Sequence, residues 1–526
     1  MRKSLILVLC LLISTALFIL LPLPAAEASG WEWRQDDWSG GPGQQYWIDD
    51  AMYDSSLNMD TMSVPGTLRI SHEANPFTKE PTNPVLAPGV MGSWDDTSVT
   101  ALARKRDERG GYEVFYRGQD SVPIRAVGYA DSTDGISWTK YAGNPVMQTS
   151  GQPWDAGGVG TGPYLIEGDT LKYWFSGYDA AGTARTFGYG TSTDKVNWTR
   201  EAAPALSPGG PGSWDESLVM CKVIKDGPNY HMWYLAHTNA IPATWQIGHA
   251  TSSDGKTFTK DPGNPVLSLG PGGSWDDTAI YNFVILKRPW LGDYILAYQG
   301  FDGTICAIGI ATSPDGTVWT KFPGNPVLNT GGVGSWNEND VCPNTLTYDG
   351  SNYKLFLYGT DSGGRISSGE ALSGNGTAWF YNVTNPVISP TPGPFWDDII
   401  TIKGYDYLEG NNLRTFYFGV GTGNGMGTAT CNPFYYANSW LESSVFDAGS
   451  AAQWGDVTWN ETVPAGCSVT VNVRSGDVPV PDGTWTAFTP VPNGGTVPHP
   501  PSRYIQYRVH LNGPTNTTPE LSPTWP

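Results

Sequence analysis

Short runs of alternating apolar and polar residues, separated by turn signals, recur from about residue 60 to about residue 430. Alternation with a period of two predicts strands that bury one face, not helices. The order is clearest after Trp94-Asp95-Asp96. A strand runs to Ala103, followed by Tyr112-Glu113-Val114-Phe115-Tyr116, Ala126-Val127-Gly128-Tyr129-Ala130 and Ile136-Ser137-Trp138-Thr139-Lys140. The turn Ser132-Thr133-Asp134-Gly135 separates the last two, and Gly143-Asn144-Pro145-Val146 closes the unit.

This order repeats. A tryptophan followed by a carboxylate or its amide stands at Trp94, Trp154, Trp214, Trp275, Trp336 and Trp396, 60 or 61 residues apart. A steady period means one supersecondary unit in tandem, and four strands per unit predict the blade of a β-propeller. Related turns at Ser192-Thr193-Asp194-Lys195, Ser252-Ser253-Asp254-Gly255 and Ser313-Pro314-Asp315-Gly316 precede Trp198, Phe258 and Trp319. Asn-Pro-Val recurs at Asn83, Asn144, Asn264, Asn325 and Asn385, where a proline suits a linker because it offers no ladder donor. The last unit reaches only Thr428-Ala429-Thr430 and lacks its fourth strand. Gly66 to Ile70 followed by Phe77-Thr78-Lys79 is predicted to supply it and so to close the ring. Counted this way the ring has six blades; a five-bladed ring with one irregular unit is the alternative.

Outside the repeat, residues 1–28 read as a secretory signal: Arg2 and Lys3, an apolar run, then Ala26-Glu27-Ala28 as cleavage site. The expected location is extracellular or at the cell surface, with no membrane contact after cleavage. Residues 29–60 form a Trp-, Gly- and Asp-rich segment, 61–436 the propeller, and 437–526 a β-sandwich with alternating runs at Val469 to Val473 and Tyr504 to Val509. The fold class is all-β: a propeller followed by a small β-sandwich. With 65 Gly, 42 Pro and 23 Trp, composition agrees with short strands and tight turns.

Charge narrows the partners. A net charge of −20 repels phosphate backbones and anionic lipid, which excludes nucleic acid. Beyond the signal, Cys221, Cys306, Cys342, Cys431 and Cys467 show no CxxC spacing. Nucleophile-elbow, HExxH and phosphate-loop motifs are absent from the sequence.

In a propeller the residues before each innermost strand form the mouth of an axial funnel. The position after each Trp reads Asp95, Asp155, Asp215, Asp276, Asn337 and Asp397; such uniformity points to a structural role. The next position varies: Asp96, Ala156, Glu216, Asp277, Glu338 and Asp398. Carboxylates aimed at one axis repel, the condition under which acid and base pKa values separate, and the same ring would suit Ca2+. Asp340 stands apart because its siblings carry no carboxylate at that position, and Arg117, His231 and His237 likewise replace neutral residues. Asp120, Asp179, Asp302 and Asp361 recur at strand ends and read first as turns. Trp154, Tyr178, Trp245, Tyr281 and Phe301 are candidates for stacking on sugar rings.

The combination Gly-Tyr-Ala-x-Ser-x-Asp-Gly-x-x-Trp-Thr-Lys then Gly-Asn-Pro-Val, at 128 to 146 and again around 248 to 267 and 309 to 328, resembles the furanosidase-type propellers of glycoside hydrolase families 43, 32 and 130. That resemblance, over residues 60 to 430, implies cleavage of a glycosidic bond by funnel carboxylates without a required cofactor. It implies Asp96 as base or nucleophile and Glu216 as acid; Asp340 is the candidate for a third, pKa-setting or substrate-binding carboxylate, and Arg117, His237, Asp277, Glu338 and Asp398 are candidate substrate contacts by position. The families are five-bladed. The tail, with Ser443-Ser444-Val445-Phe446-Asp447-Ala448-Gly449, is similar to sandwich modules of bacterial surface proteins. The expectation is therefore a monomeric secreted glycoside hydrolase with a carbohydrate partner; the alternative is a non-catalytic carbohydrate-binding or adhesive surface protein, with Ca2+ in the funnel.

Overall fold

The computed structural model describes residues 52–61, 68–105, 110–121, 124–182, 185–241, 243–409, 412–436 and 439–522, with short segments at 2–6, 32–33 and 41–42. Most of residues 1–28, read above as a secretory signal, lie outside the described residues. Every regular element among those described is a β-strand.

Six four-stranded units follow one another, here numbered I to VI. Unit III is the plainest: Ser217–Asp226, Asn229–His237, Trp245–Ser252 and Thr259–Lys260 in antiparallel order. Units IV and V repeat it from Ala279–Arg288 and Asp340–Tyr348. Unit VI contributes Ile400–Glu409, Asn412–Val420 and Asn424–Cys431, and its outer strand is Thr78–Lys79, paired through Ala429↔Lys79. The N-terminal closure predicted from sequence thus rests on Thr78 and Lys79. Leu68 to Ile70 do not share it: they pair with Leu521 and with Met59–Asp60.

Each unit is locked to the next. Trp174 Nε1 of unit II donates to Gly255 O of unit III at 2.7 Å, and Trp233 Nε1 of unit III to Gly316 O of unit IV at 2.8 Å. Asn282 bonds Pro343 O, Ser368 bonds Thr401 O, and Val99 N of unit I donates to Asn424 of unit VI at 2.8 Å, which closes the circle. The receiving turns are built by the Ser-x-Asp-Gly signature. Asp134 Oδ1 accepts from Ile136 N and Ser137 N, Ser132 Oγ accepts from Gly135 N, and Gly135 takes φ 72°. The repeated asparagine does more than precede a proline. Asn144 accepts from Tyr129 N and donates to Tyr129 O, both at 2.9 Å, so its amide stands in for a strand partner.

The first carboxylate after each Trp is structural, as its uniformity predicts. Asp95, Asp155, Asp215, Asp276, Asn337 and Asp397 are at most 4% exposed. Each of the five carboxylates meets a cation on the outer strand: Lys140, Arg200, Lys260, Lys321 and Lys79. Where unit V replaces the cation with Tyr381, the carboxylate becomes Asn337, whose Nδ2 donates to the Tyr381 hydroxyl at 3.3 Å. A buried charge without a partner is costly, so the two positions change together.

Beyond the ring, Ser439–Ser443, Phe446–Thr458, Ser468–Gly476 and Ser502–Asn512 form a second sheet system, with Val471 opposite Val509. Its core joins Leu441, Trp454, Val473 and Ile505 to Met59, Leu68 and Ile70. Residues preceding the ring therefore cross the expected boundary at 61. Thr61 N also donates to Asp349 O of unit V at 2.7 Å.

Candidate functional site

The five carboxylates two residues after a Trp are half-buried and most are hydrogen-bonded within their own turns. Asp96 accepts from Gly92 N at 2.7 Å, Asp277 from Gly273 N at 2.6 Å and Glu338 from Gly334 N at 2.9 Å, each capping its own turn. Asp96 and Asp277 also accept from Thr97 and Thr278. Asp398 lies against Gly421, where a Cβ would come within 2.2 Å of Oδ1. Asp302 and Asp361 likewise cap turns, through Thr304 N and Gly363 N.

Glu216 shares this cap, through Gly212 N, and adds a second bond. Its Oε2 accepts from Asn239 N at 3.1 Å, across the unit, and that bond above all holds its carboxyl below the ordinary carboxylate range, with His237 adding to the effect. His237 opens a run of ring contacts along the rim of units III and IV: His237 to Trp245 at 4.3 Å, Trp245 to Tyr281 at 5.4 Å and Tyr281 to Phe301 at 5.6 Å. His237 Nδ1 donates to Thr238 O at 2.8 Å.

Asp340 begins the inner strand of unit V beside that run. Burial pushes its carboxyl up, against hydrogen bonds from Cys306 and Gln299. Gln299 Nε2 also donates to Val341 O at 3.1 Å. Cys306, at the start of its strand, is in turn pushed up to about 12 by burial and by Asp340. Behind it Asn282 donates to Cys342 Sγ at 3.1 Å. These supports were missed in the sequence, where the cysteines were weighed only for their spacing. The available signal was the one that singled out Asp340: Cys306, Gln299 and Asn282 stand where sibling units carry other residues.

The remaining predictions separate. Arg117 donates to Thr100 Oγ1 at 3.1 Å and serves unit I. Tyr178 is buried with Arg125 stacked 4.4 Å above its ring. Trp154 packs within its own unit and donates to Ala202 O. His231 stacks on Trp233 and His249 between units III and IV, away from the rim. His237, Trp245, Tyr281 and Phe301 form one run along the rim, with Glu216 beside its first ring and Asp340, through Gln299 and Cys306, beside its last. All five described cysteines are free. Among the described residues no group of three or more His, Cys, Asp or Glu is placed to hold a metal ion.

Cys306 is expected to resist iodoacetamide in the native protein. A thiol at about 12 carries a thiolate fraction of roughly one in ten thousand at pH 8. Mass spectrometry after timed labelling checks this; rapid native labelling of Cys306 would contradict its placement.

No family model matches the chain. An uncharacterised protein of Mycobacterium tuberculosis (strain H37Rv) is 26% identical over 233 residues, 42% of this chain and 73% of that protein. Among solved structures, a glycosyl hydrolase from Bacteroides ovatus is 17% identical with a TM-score of 0.39, covering 57% of this chain and 94% of that one. The β-1,2-mannobiose phosphorylase of Listeria innocua is 12% identical with a TM-score of 0.37, covering 68% and 96%. Solved glycoside hydrolases are thus among the structures to which this chain is similar, at low sequence identity.

Proposed function

We propose that the chain is a secreted carbohydrate-active protein that hydrolyses a glycosidic bond at the rim of units III to V. Asp340 acts as proton donor, and Glu216 is the ionised partner. The observation that carries this reading is the opposed electrostatics of two carboxyls beside one run of rings. Burial keeps Asp340 able to hold a proton, while a backbone N–H keeps Glu216 charged. Glycoside hydrolysis needs one carboxyl in each state. The acid role that the family resemblance implied for Glu216 therefore passes to Asp340, and Asp96 keeps its turn.

The rings give the sugar a place to lie. Trp245, held between His237 and Tyr281, is the central platform. Trp245→Ala is expected to weaken oligosaccharide binding about tenfold, the worth of one good aromatic stack. Calorimetry with the glycan identified by a hydrolysis screen checks it, and unchanged affinity would move the binding surface elsewhere.

The direct test screens aryl glycosides and natural glycans for reducing-sugar release, then repeats the active case with Glu216→Gln. Loss of turnover with the fold intact supports the assignment; full turnover removes Glu216 from the mechanism. A second reading, glycan binding without turnover, is favoured by the turn-capping of Asp96, Asp277 and Glu338. Binding without product across the panel would decide for it.

A further inference from the structure

At the far ends of the inner strands of units V and VI, away from the rim, lies a cavity of about 300 Å³. Thr347 to Asp349 of unit V, Tyr405 to Leu408 of unit VI and His72 from the segment before the ring line it. Its volume is at the lower end of small-ligand pockets.

Its polar wall is unusually buried. His72 is 6% exposed, Asp349 3%, Lys354 6% and Glu370 2%. His72 Nδ1 has no hydrogen-bond partner among the described residues. Asp349 Oδ2 meets Lys354 Nζ at 3.3 Å as an ion pair. Buried polar groups are normally satisfied, so an unpartnered ring nitrogen on a residue that lines the cavity calls for an occupant. The other wall is held firmly. Lys403 Nζ lies 2.7 Å from both oxygens of Asp406 and 3.8 Å over the ring of Phe356, at a bulge in the inner strand.

The charges select the occupant. An anion would meet Asp349, Glu370 and Asp406, and a cation would meet Lys354 and Lys105. A hydroxyl both donates and accepts, so it can give its proton to Asp349 and take one from Lys354. Burial and Lys354 hold His72 neutral, leaving it free to do either. Tyr405, Tyr407 and Phe356 offer ring surface to carbon-bound hydrogens.

We propose that this cavity binds one neutral polyol of monosaccharide size, with hydroxyls bridging Asp349 and Lys354 and reaching His72 and Lys105. The site is separate from the rim and does not depend on turnover there.

The test titrates D-glucose, D-mannose, D-galactose and glycerol into the full chain by calorimetry, using wild type, Thr347→Trp, Lys105→Met and Trp245→Ala. One of the four is expected to bind wild type one to one. Thr347→Trp fills the cavity and abolishes that binding, Lys105→Met weakens it about tenfold, and Trp245→Ala leaves it unchanged. Absence of binding by all four overturns the proposal, as does binding lost in Trp245→Ala and kept in Thr347→Trp. Lys105 is exposed and its substitution spares the fold. Should Thr347→Trp misfold, unchanged affinity in Lys105→Met overturns the proposal.

Discussion

Asp340→Asn is expected to lower turnover by about 10²–10⁴, the usual worth of a positioned general acid, while KM changes little. The variant keeps an oxygen to accept from Gln299 and changes almost no volume; what it loses is the proton. Its effect on stability should have the opposite sign. Burial raises the Asp340 pKa above its ordinary 3.8 in the folded chain. Its contribution is therefore fully present below the unfolded value and is lost as pH rises through the folded one. At neutral pH the native state carries a desolvated carboxylate that Asn does not, so the variant should melt higher than wild type at pH 7 and converge with it below pH 4. In the wild type, deprotonation of Asp340 is expected to set the alkaline limb of the kcat/KM profile, and protonation of Glu216 the acid limb. Unchanged kcat in Asp340→Asn would remove the residue from catalysis. A lower melting point at pH 7 would show that its environment favours the charge.

What could be read from the sequence followed from what repetition can carry. Six copies of one strand order expose the scaffold, because every copy must solve the same packing problem. The buried Asp95 column was therefore recognisable as structural before its lysine partners were known. The next column was harder to read, since the variation between Asp, Glu and Ala does not show that its carboxylates bond their own turns. Asp96 and Asp277 reach a glycine four residues back, a local bond that spacing alone does not reveal. Sites made by single departures were half visible. Asp340 announced itself, but its supports Gln299 and Cys306 come from the previous unit, and their meeting depends on how neighbouring units abut. The cavity between units V and VI was hidden for the same reason: His72, Asp349, Lys354 and Asp406 are scattered over more than three hundred residues.

Arg200→Ala should be the most destabilising single change in the ring's ion-pair columns. Asp155 is fully buried, with side-chain exposures of 16% for Arg200 and 0% for Asp155. Removing the guanidinium leaves a buried carboxylate with only Thr149 and Ser150 as donors, a loss of about 3–5 kcal/mol. The contact of Arg200 with the Phe175 ring at 4.5 Å goes too. The partners of Asp155 hold its carboxyl below 3.8, so the pair's contribution is present above that value and fades as pH falls through the folded pKa. The destabilisation should therefore shrink in acid. Unit V shows how to repair it. There Tyr381 donates to Asn329 O at 2.7 Å and meets Asn337, while Arg200 reaches Gln148 O, the corresponding carbonyl, and Asp155. Units II and V also share an apolar residue, Phe175 or Leu357, where four siblings carry a tyrosine. Asp155→Asn combined with Arg200→Tyr should then recover most of the loss, because no charge is left to desolvate and both carbonyl-side bonds can re-form. Denaturant midpoints of the two single variants and the double form the cycle. A double variant no more stable than Arg200→Ala would mean that the columns change together for a reason other than charge compensation.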